Sequence, residues 1–388
     1  MQDNNEDLCR GIIDQVLQKR EKIGERCSIE LIMGLDFDPM IKTLDELVSY
    51  SFIILKYNNL ISANGLREDS VLRFLISIKD NYHSTPDYHN FIHGFLVFQF
   101  ANYFLLQSGL IKLLSPRWVF VFLITALGHD LGHPGIGNMT IKSLRNPQYH
   151  RCYSNSLLED YHSEQLIHLL FCNKKTALLN HLPRQEQFNI QSDIRKLIIA
   201  TDIFHHQAEI NSYDSYIKDN IVGSNENGIM SSSARNELIN SDEGLLVLSK
   251  MIMKISDTSN EFRGFQIFKK IYINLIYEFK QQYRFEEIAH QMHSLDLSKI
   301  SLVQFETSFI ENCIHPVFDR VANVFPQINY MRDLLMNNMS NFQNQFNGIE
   351  ADHPIFNTRP DNIKAVFPKI LKLCEAILYK DFDDSTEE

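Results

Sequence analysis

The segment between Trp118 and Pro134 reads WVFVFLITALGHDLGHP. Its first ten residues are apolar apart from one threonine, so this stretch predicts a buried helix. The helix leads directly into His129, Asp130 and His133, which are side chains uncommon in a protein interior unless they are paired or bound to a metal ion. The apolar run is also shorter than the roughly 20 residues that span a bilayer. We therefore predict a core helix that carries functional groups at its end, and no transmembrane segment.

The composition of the whole chain favours an all-α fold. The 388 residues include 44% hydrophobic and 22% charged side chains, which is typical of a folded globular protein. The 15 glycines and 11 prolines fall well below the roughly 12% of average usage, and strands and turns need these residues most. Apolar residues recur at helical spacing, for example in Asp193–Thr201 and Leu245–Asp257.

Neither a linker nor an internal repeat divides the sequence, so we predict a single domain over residues 1–388. Polar segments at 220–244, 283–301 and 337–360 are predicted as loops, and residues 381–388 as a short acidic tail. The net charge of −11 disfavours nonspecific binding to nucleic acid or anionic membranes. Because the six cysteines show no paired spacing and the first residues lack the features of a secretion signal, we predict a cytoplasmic (intracellular) protein.

Two further clusters of polar residues accompany the histidines of the opening segment. His89 and His93 are separated by four residues, which predicts that they lie on one helix face about a turn apart. Asp257 is predicted to end an apolar helix, where the helix dipole favours a cation rather than a carboxylate. Imidazoles and carboxylates together suit zinc or a similar divalent ion, and a harder ion such as Mg²⁺ could share Asp130. Taken alone, a His-Asp pair would more often be a solvated helix end.

Four motifs in this order resemble the class I 3′,5′-cyclic nucleotide phosphodiesterase catalytic domain, a member of the HD hydrolase superfamily. They are Tyr88-His89-Asn90-x-x-His93, His129-Asp130-x-x-His133-Pro134-Gly135, Ala200-Thr201-Asp202 and Asp257-x-Ser259-Asn260. The match by motif runs from about residue 87 to about residue 320, with flanking helices expected at 1–86 and 321–380. The resemblance implies a single all-helical catalytic domain with a two-metal pocket.

The resemblance also implies a role for each residue at a motif position. His93, His129, Asp130 and Asp257 correspond to the ligands of a tightly bound metal, usually Zn²⁺, and Asp130 also bridges to a second ion, usually Mg²⁺ or Mn²⁺. A water activated between the two ions then attacks phosphorus. His89 corresponds to the general acid that protonates the departing 3′ oxygen, a role that suits imidazole because it titrates near neutrality.

Other residues are implied to support these groups. Glu286 falls, by a loose local match, where the family has a glutamate that orients His89, and a surface carboxylate is the alternative reading. Glu159 and His162 are spaced to share a helix face. The residues implied to hold the ligands and the metal-bound waters are Tyr88, His133, Glu159, His162, Thr201 and Asp202.

The purine position departs from the family pattern. Family members hold the base with a glutamine, followed three residues later by a stacking phenylalanine; here Phe309 fits the phenylalanine and Glu306 replaces the glutamine. An ionised carboxylate only accepts hydrogen bonds, which weakly favours cyclic GMP, whereas a protonated Glu306 could serve either base. Leu275 corresponds to the aliphatic residue that contacts the other face of the base, opposite Phe309, and Asn260 to a residue that contacts the base or the sugar. The ordinary alternatives are that Leu275 and Phe309 pack in the core and that Glu306 faces solvent. Glu261 stands where the family commonly has a proline after the Ser-Asn pair, so the family pattern does not define the conformation of this turn.

The leading hypothesis is therefore metal-dependent hydrolysis of the 3′ ester of 3′,5′-cyclic nucleotides to nucleoside 5′-monophosphates, which ends cyclic nucleotide signalling. A nucleotide-binding pseudoenzyme and another HD-type phosphohydrolase are the alternatives. The complete set of metal ligands argues against the first, and the Tyr88-His89-Asn90 signature argues against the second.

Overall fold

The computed structural model describes residues 29–144, 155–221, 229–356 and 363–379, and these ranges contain helices and no β-strand. The prediction of an all-α fold is confirmed. The acidic tail at 381–388 and residues 1–28 of the N-terminal flank lie outside the described residues. In chain order the helices are α1 (Ile29–Met33), α2 (Leu44–Tyr57), α3 (Glu68–Asn81), α4 (Phe91–Gln107), α5 (Pro116–Gly128), α6 (Asn138–Ser143), α7 (Leu157–Ile167), α8 (Arg184–Ile199), α9 (His206–Asn220), α10 (Ser232–Asn240), α11 (Asp242–Asp257), α12 (Phe265–Ile288), α13 (Leu302–Phe309), α14 (His315–Val324), α15 (Tyr330–Phe346) and α16 (Ile363–Tyr379).

The three segments predicted as loops are partly helical. Helix α10 lies inside the first, α12 runs into the second as far as Ile288, and α15 extends through the third as far as Phe346. The asparagines of α15 are poor helix formers, but Phe342 and Phe346 on the same helix are buried against Tyr272 of α12. Tertiary packing of these rings therefore overrides local propensity.

Helices α4 and α5 form the centre of the largest hydrophobic cluster. Their side chains Phe95, Phe98 and Phe120 are fully buried. The close approach of the two helices depends on Gly94, where an added Cβ would lie 2.6 Å from the backbone oxygen of Leu127. This contact brings the first turn of α4 next to the last turn of α5, where the predicted metal ligands begin.

Helix α4 begins later than the histidine spacing predicts. Asn90 is its N-cap, with an extended backbone and a side chain that accepts a hydrogen bond from the Ile92 N–H at 2.9 Å. His89 therefore precedes the helix, and the prediction that His89 and His93 share a helix face is wrong. The two rings still meet, with centroids 5.7 Å apart, because the turn before the cap folds His89 back over α4.

Candidate functional site

Four side chains converge where α4, α5 and α11 meet. His93 lies in the first turn of α4, His129 and Asp130 follow α5 directly, and Asp257 is the last residue of α11. The Nε2 atoms of His93 and His129 lie 3.0 and 3.1 Å from Asp257 Oδ1. The same two atoms lie 3.4 and 3.2 Å from Asp130 Oδ2. The structure thus brings together all four residues predicted as ligands of the tighter metal.

The donor set of this cluster fits a divalent cation. His129 Nδ1 donates to the Ala126 carbonyl oxygen at 3.0 Å, which leaves the Nε2 lone pair directed at the two carboxylates. Asp130 Oδ2 is buried without a hydrogen-bond partner. Burial lowers the pKa of His93. Burial acts the same way on His129, but the charges of Asp130 and Asp257 outweigh it and raise the pKa of His129 well above its ordinary value. A cation bound between the two carboxylates would take the place of that proton. Two imidazoles and two carboxylates facing one point match the ligand chemistry of zinc and related ions.

A second group of polar side chains surrounds the other face of Asp130. His162 Nδ1 donates to the Leu131 carbonyl oxygen at 2.6 Å, so its buried, unpartnered Nε2 is the atom that lies 3.8 Å from Asp130 Oδ1. Burial first, and then the charge of Asp202, raise the pKa of Glu159 to about 7. Carboxylates crowded in this way favour a cation between them. Hard oxygen donors of this kind suit Mg²⁺ or Mn²⁺.

The remaining residues predicted to support the site lie around this cluster. His133 stacks on the ring of His89, with centroids 4.2 Å apart. Tyr88 packs with its ring centroid 4.6 Å from that of His93. Asp202 accepts a hydrogen bond from Ser156 Oγ at 2.8 Å. The hydroxyl of the half-buried Thr201 donates to the backbone oxygen of Ile198.

His89 is held by a carboxylate that the sequence analysis missed. Its Nδ1 is hydrogen-bonded to Glu278 Oε1, and Glu278 Oε2 accepts from the backbone N–H groups of Tyr88 and His89 at 2.7 and 3.0 Å. Burial alone would lower the pKa of His89, but the charge and hydrogen bond of Glu278 raise it to about 9. The His89 side chain is 25% exposed, so this protonated ring can still be reached.

The prediction that Glu286 orients His89 is wrong. Glu286 lies on the same helix, eight residues after Glu278, which places it about 12 Å farther along the axis. Its fully buried carboxylate accepts instead from the hydroxyls of Thr140 and Ser294, at 2.5 and 2.6 Å. Glu278 lies two turns after Ile271 on the face of α12 that packs against Tyr88, and this packing, which spacing along the chain does not reveal, places Glu278 beside His89.

The residues predicted to hold the purine occupy different environments. Leu275 and Phe309 are half-buried, and Phe309 packs against the edge of the main core. Asn260 donates its amide to the Tyr88 hydroxyl at 2.8 Å. Glu306 is only 2% exposed, so the solvent-facing alternative for this residue is wrong. The turn at Glu261 forms without the common proline, as a short 3₁₀ helix over Ser259–Phe262.

Comparison with known proteins agrees with this arrangement. The family model described as 3′5′-cyclic nucleotide phosphodiesterase matches residues 88–335. The chain belongs to this family. Among solved structures, LmjPDEB1 in complex with IBMX superimposes with a TM-score of 0.71 at 20% sequence identity, covering 82% of this chain and 93% of that one. The phosphodiesterase fold is therefore confirmed.

Two curated relatives illustrate the range of the family. The cGMP-specific 3′,5′-cGMP phosphodiesterase 3 of Dictyostelium discoideum is 25% identical over 76% of this chain and 60% of its own length. The high affinity cAMP-specific and IBMX-insensitive 3′,5′-cyclic phosphodiesterase 8A of Homo sapiens is 24% identical over 65% of this chain and 31% of its own length. The chain thus spans less than two thirds of each relative.

None of the described helices is long and apolar enough to cross a membrane.

The two glutamates of α12 offer a matched test of the revised site. We expect Glu278→Gln to lower phosphodiesterase turnover by about 10- to 100-fold, because the amide removes the negative charge that keeps His89 protonated. Glu286→Gln changes the same residue type on the same helix and should leave turnover within about twofold of the wild type. Both variants are assayed for kcat with a cyclic nucleotide, with thermal unfolding as a folding control. The reverse order of effects would restore Glu286 to the role first predicted for it.

Proposed function

We propose that this chain hydrolyses 3′,5′-cyclic nucleotides to nucleoside 5′-monophosphates and so ends a cyclic nucleotide signal. The observation that carries the proposal is the juxtaposition of His89, fixed by Glu278, with the cluster of His93, His129, Asp130 and Asp257. A protonated imidazole beside a group of metal ligands is what the cleavage of a phosphate diester requires. Membership of the phosphodiesterase family supports the same reaction.

The chain's own residues account for the proton that the reaction needs. Hydrolysis adds a water oxygen to phosphorus and breaks the bond to the 3′ oxygen, which must then take up a proton. Glu278 accepts the Nδ1–H of His89, so the proton on Nε2 is the one available to the leaving oxygen. The raised pKa of His89 keeps that proton in place at neutral pH. His89 is neutral after the transfer, and Glu278 holds its ring orientation throughout.

Two divalent cations complete the proposed site. His93, His129, Asp130 and Asp257 would hold the tighter ion, for which Zn²⁺ fits the mixed nitrogen and oxygen donors. Asp130 would also contact a second ion, Mg²⁺ or Mn²⁺, in the region of Glu159, His162 and Asp202. When bound, such ions supply Lewis acidity that polarises the phosphate and lowers the pKa of water.

We further propose a weak preference for cyclic GMP. Glu306 stands where family members carry glutamine, and an ionised carboxylate accepts hydrogen bonds from guanine but meets ring acceptors on adenine. The two relatives differ in base specificity, since the Dictyostelium enzyme is called cGMP-specific and the human enzyme cAMP-specific.

The proposed function is tested by assaying the purified protein with cyclic AMP and cyclic GMP side by side, first with added Mg²⁺ or Mn²⁺ and then with a strong chelator. We expect metal-dependent release of the 5′-monophosphate from both substrates, faster from cyclic GMP, and loss of turnover on chelation. Folded, metal-loaded protein that hydrolyses neither substrate would contradict the proposal. It would favour nucleotide binding without hydrolysis, or a different phosphate ester as substrate.

A further inference from the structure

Lys254 is a buried cation to which the mechanism above assigns no role. It lies in the last turn of α11, three residues before Asp257, and is only 6% exposed. Lysine is rarely buried unless a carboxylate pairs with it, yet no carboxylate of the described residues forms an ion pair with this ammonium. The Nζ atom donates instead to the backbone oxygen of Ala200 at 2.7 Å. The cost of burying the charge is therefore not offset by an ion pair.

The acceptor of this hydrogen bond lies at the end of another helix. Ala200 is the C-cap of α8, so its carbonyl oxygen is one of the groups that have no partner within that helix. The carbonyl groups at a helix C-terminus also carry a partial negative charge, which attracts a cation. Lys254 supplies that cation from the last turn of α11. Its ammonium thereby joins the ends of α8 and α11.

Each of the two joined helix ends carries a carboxylate of the proposed two-metal site. Asp257 ends α11 and contacts both imidazoles of the metal-ligand cluster. Asp202 follows Ala200 by two residues and belongs to the polar side chains proposed to hold the second ion. Its own carboxylate is fixed locally, because it accepts from Ser156 Oγ at 2.8 Å and from the Phe204 N–H at 2.9 Å. The separation of the two carboxylates therefore depends on how the end of α8 is held against α11.

The surroundings of Lys254 place it on the metal side of these helix ends. Lys254, Asp257 and Thr201 line one small cavity of about 20 Å³, which is large enough for about one water molecule. Lys254 therefore borders the same small space as a predicted metal ligand. Burial lowers the pKa of Lys254, and the charges of Asp257, Glu209 and Asp202 oppose that change. Both carboxylates of the joined helix ends thus act on the ammonium.

We propose that Lys254 is a positioning residue for the second metal ion, because its ammonium holds the end of α8, and with it Asp202, at a fixed separation from Asp257. This inference rests on the two-metal site of the proposed function and explains how the chain keeps that site in place. Without the ammonium, the segment that carries Asp202 would be free to shift relative to Asp257. Oxygen donors that are already in place bind a hard cation more tightly than donors that must first be ordered.

Lys250 offers a matched comparison one helical turn earlier on α11. Its ammonium forms a largely buried ion pair with Glu209 of α9, with Nζ 3.0 and 2.9 Å from the two carboxylate oxygens. Lys250→Met leaves Glu209 without its counter-charge, which should lower the free energy of unfolding. Lys254→Met removes an ammonium that no described carboxylate pairs with, so it should lower that free energy by less. The two variants therefore separate an effect on stability from an effect on metal binding.

The test measures the binding of Mn²⁺ to the purified chain after the tighter site has been filled with Zn²⁺. Free Mn²⁺ is followed by its electron paramagnetic resonance signal. We expect Lys254→Met to weaken Mn²⁺ binding by about 10- to 100-fold, the range usual for groups that orient metal ligands. Lys250→Met should bind Mn²⁺ within about twofold of the wild type, although it unfolds at a lower temperature. The Zn²⁺ content, measured by mass spectrometry, should be the same in all three proteins.

A conservative variant and a kinetic readout distinguish positioning from packing. Lys254→Arg keeps a cation that can donate to the Ala200 oxygen, so Mn²⁺ affinity should return to within about threefold of the wild type. In the hydrolysis assay, the Mg²⁺ concentration that gives half-maximal turnover should rise about tenfold or more in Lys254→Met. The value of kcat at saturating Mg²⁺ should fall much less, because the excess of metal compensates for the weaker site.

Three results would overturn the inference. The first is equal Mn²⁺ affinity of Lys254→Met and the wild type, and the second is equal weakening by Lys254→Met and Lys250→Met, which would indicate a general loosening of α11. The third is a wild-type chain that binds no Mn²⁺ once Zn²⁺ is in place. Because Mn²⁺ binding is measured without substrate, a chain that binds both ions but hydrolyses no cyclic nucleotide would contradict only the proposed function.

Discussion

Replacing His89 by alanine is expected to lower kcat for cyclic nucleotide hydrolysis by about 10²- to 10⁴-fold, the range usual for loss of a general acid. The reason is geometric and electrostatic, because Glu278 holds the partly exposed ring of His89 in place and keeps the ring protonated, and alanine removes that proton donor. Rates are measured as release of the 5′-monophosphate under saturating substrate. The metal content of the variant, measured by mass spectrometry, should equal that of the wild type.

A matched control distinguishes this effect from general destabilisation. His181 is an exposed histidine in the segment between α7 and α8, and His181→Ala should leave both turnover and metal content unchanged. If His89→Ala retained wild-type turnover, the leaving oxygen would obtain its proton elsewhere. The proposed role of Glu278 would then fail with it.

The second large effect is expected at the metal-ligand cluster. Asp257→Ala removes the oxygen atom that lies 3.0 and 3.1 Å from the Nε2 atoms of His93 and His129. We expect loss of the tightly bound metal and a fall in turnover of about 10³-fold, which corresponds to about 4 kcal/mol of transition-state stabilisation. Metal content is measured after dialysis against a metal-free buffer, and kcat with and without added Zn²⁺ and Mg²⁺.

The control for this variant lies at the other end of the same helix. Glu243 is exposed in the first turn of α11, and Glu243→Ala should keep metal content and turnover close to the wild type. Circular dichroism of Asp257→Ala should show retained helix, since the lost group lies at a helix end and α11 is held by buried apolar side chains. A variant that lost activity but kept all of its metal would show that Asp257 is not a ligand.

Much of the cluster was predictable because its motifs are local. The helical period of the apolar residues in Leu245–Asp257 fixes the end of α11 at Asp257, as the structure bears out. The apolar run before His129 likewise predicts a core helix that ends at the histidine. Boundaries that depend on a cap were less predictable, since Asn90 starts α4 after His89 and removes that histidine from the helix.

The acidic partner of His89 could not be chosen from spacing alone. Glu278 and Glu286 lie on one helix, and the loose local match to the family pattern led to Glu286. Glu278 is 189 residues from His89 in sequence, and the face of α12 that packs against Tyr88 selects it.

By itself, the sequence determined the all-α class, the family and the positions of the metal-ligand motifs, because helical periodicity and short motifs depend on residues that are near one another along the chain. Only the tertiary structure decided that Glu278 holds His89 and that Glu286 instead accepts from Thr140 and Ser294. Those pairings depend on the rotational phase of each helix and on how distant helices pack, and a change of one residue in helical phase turns a side chain by about 100°.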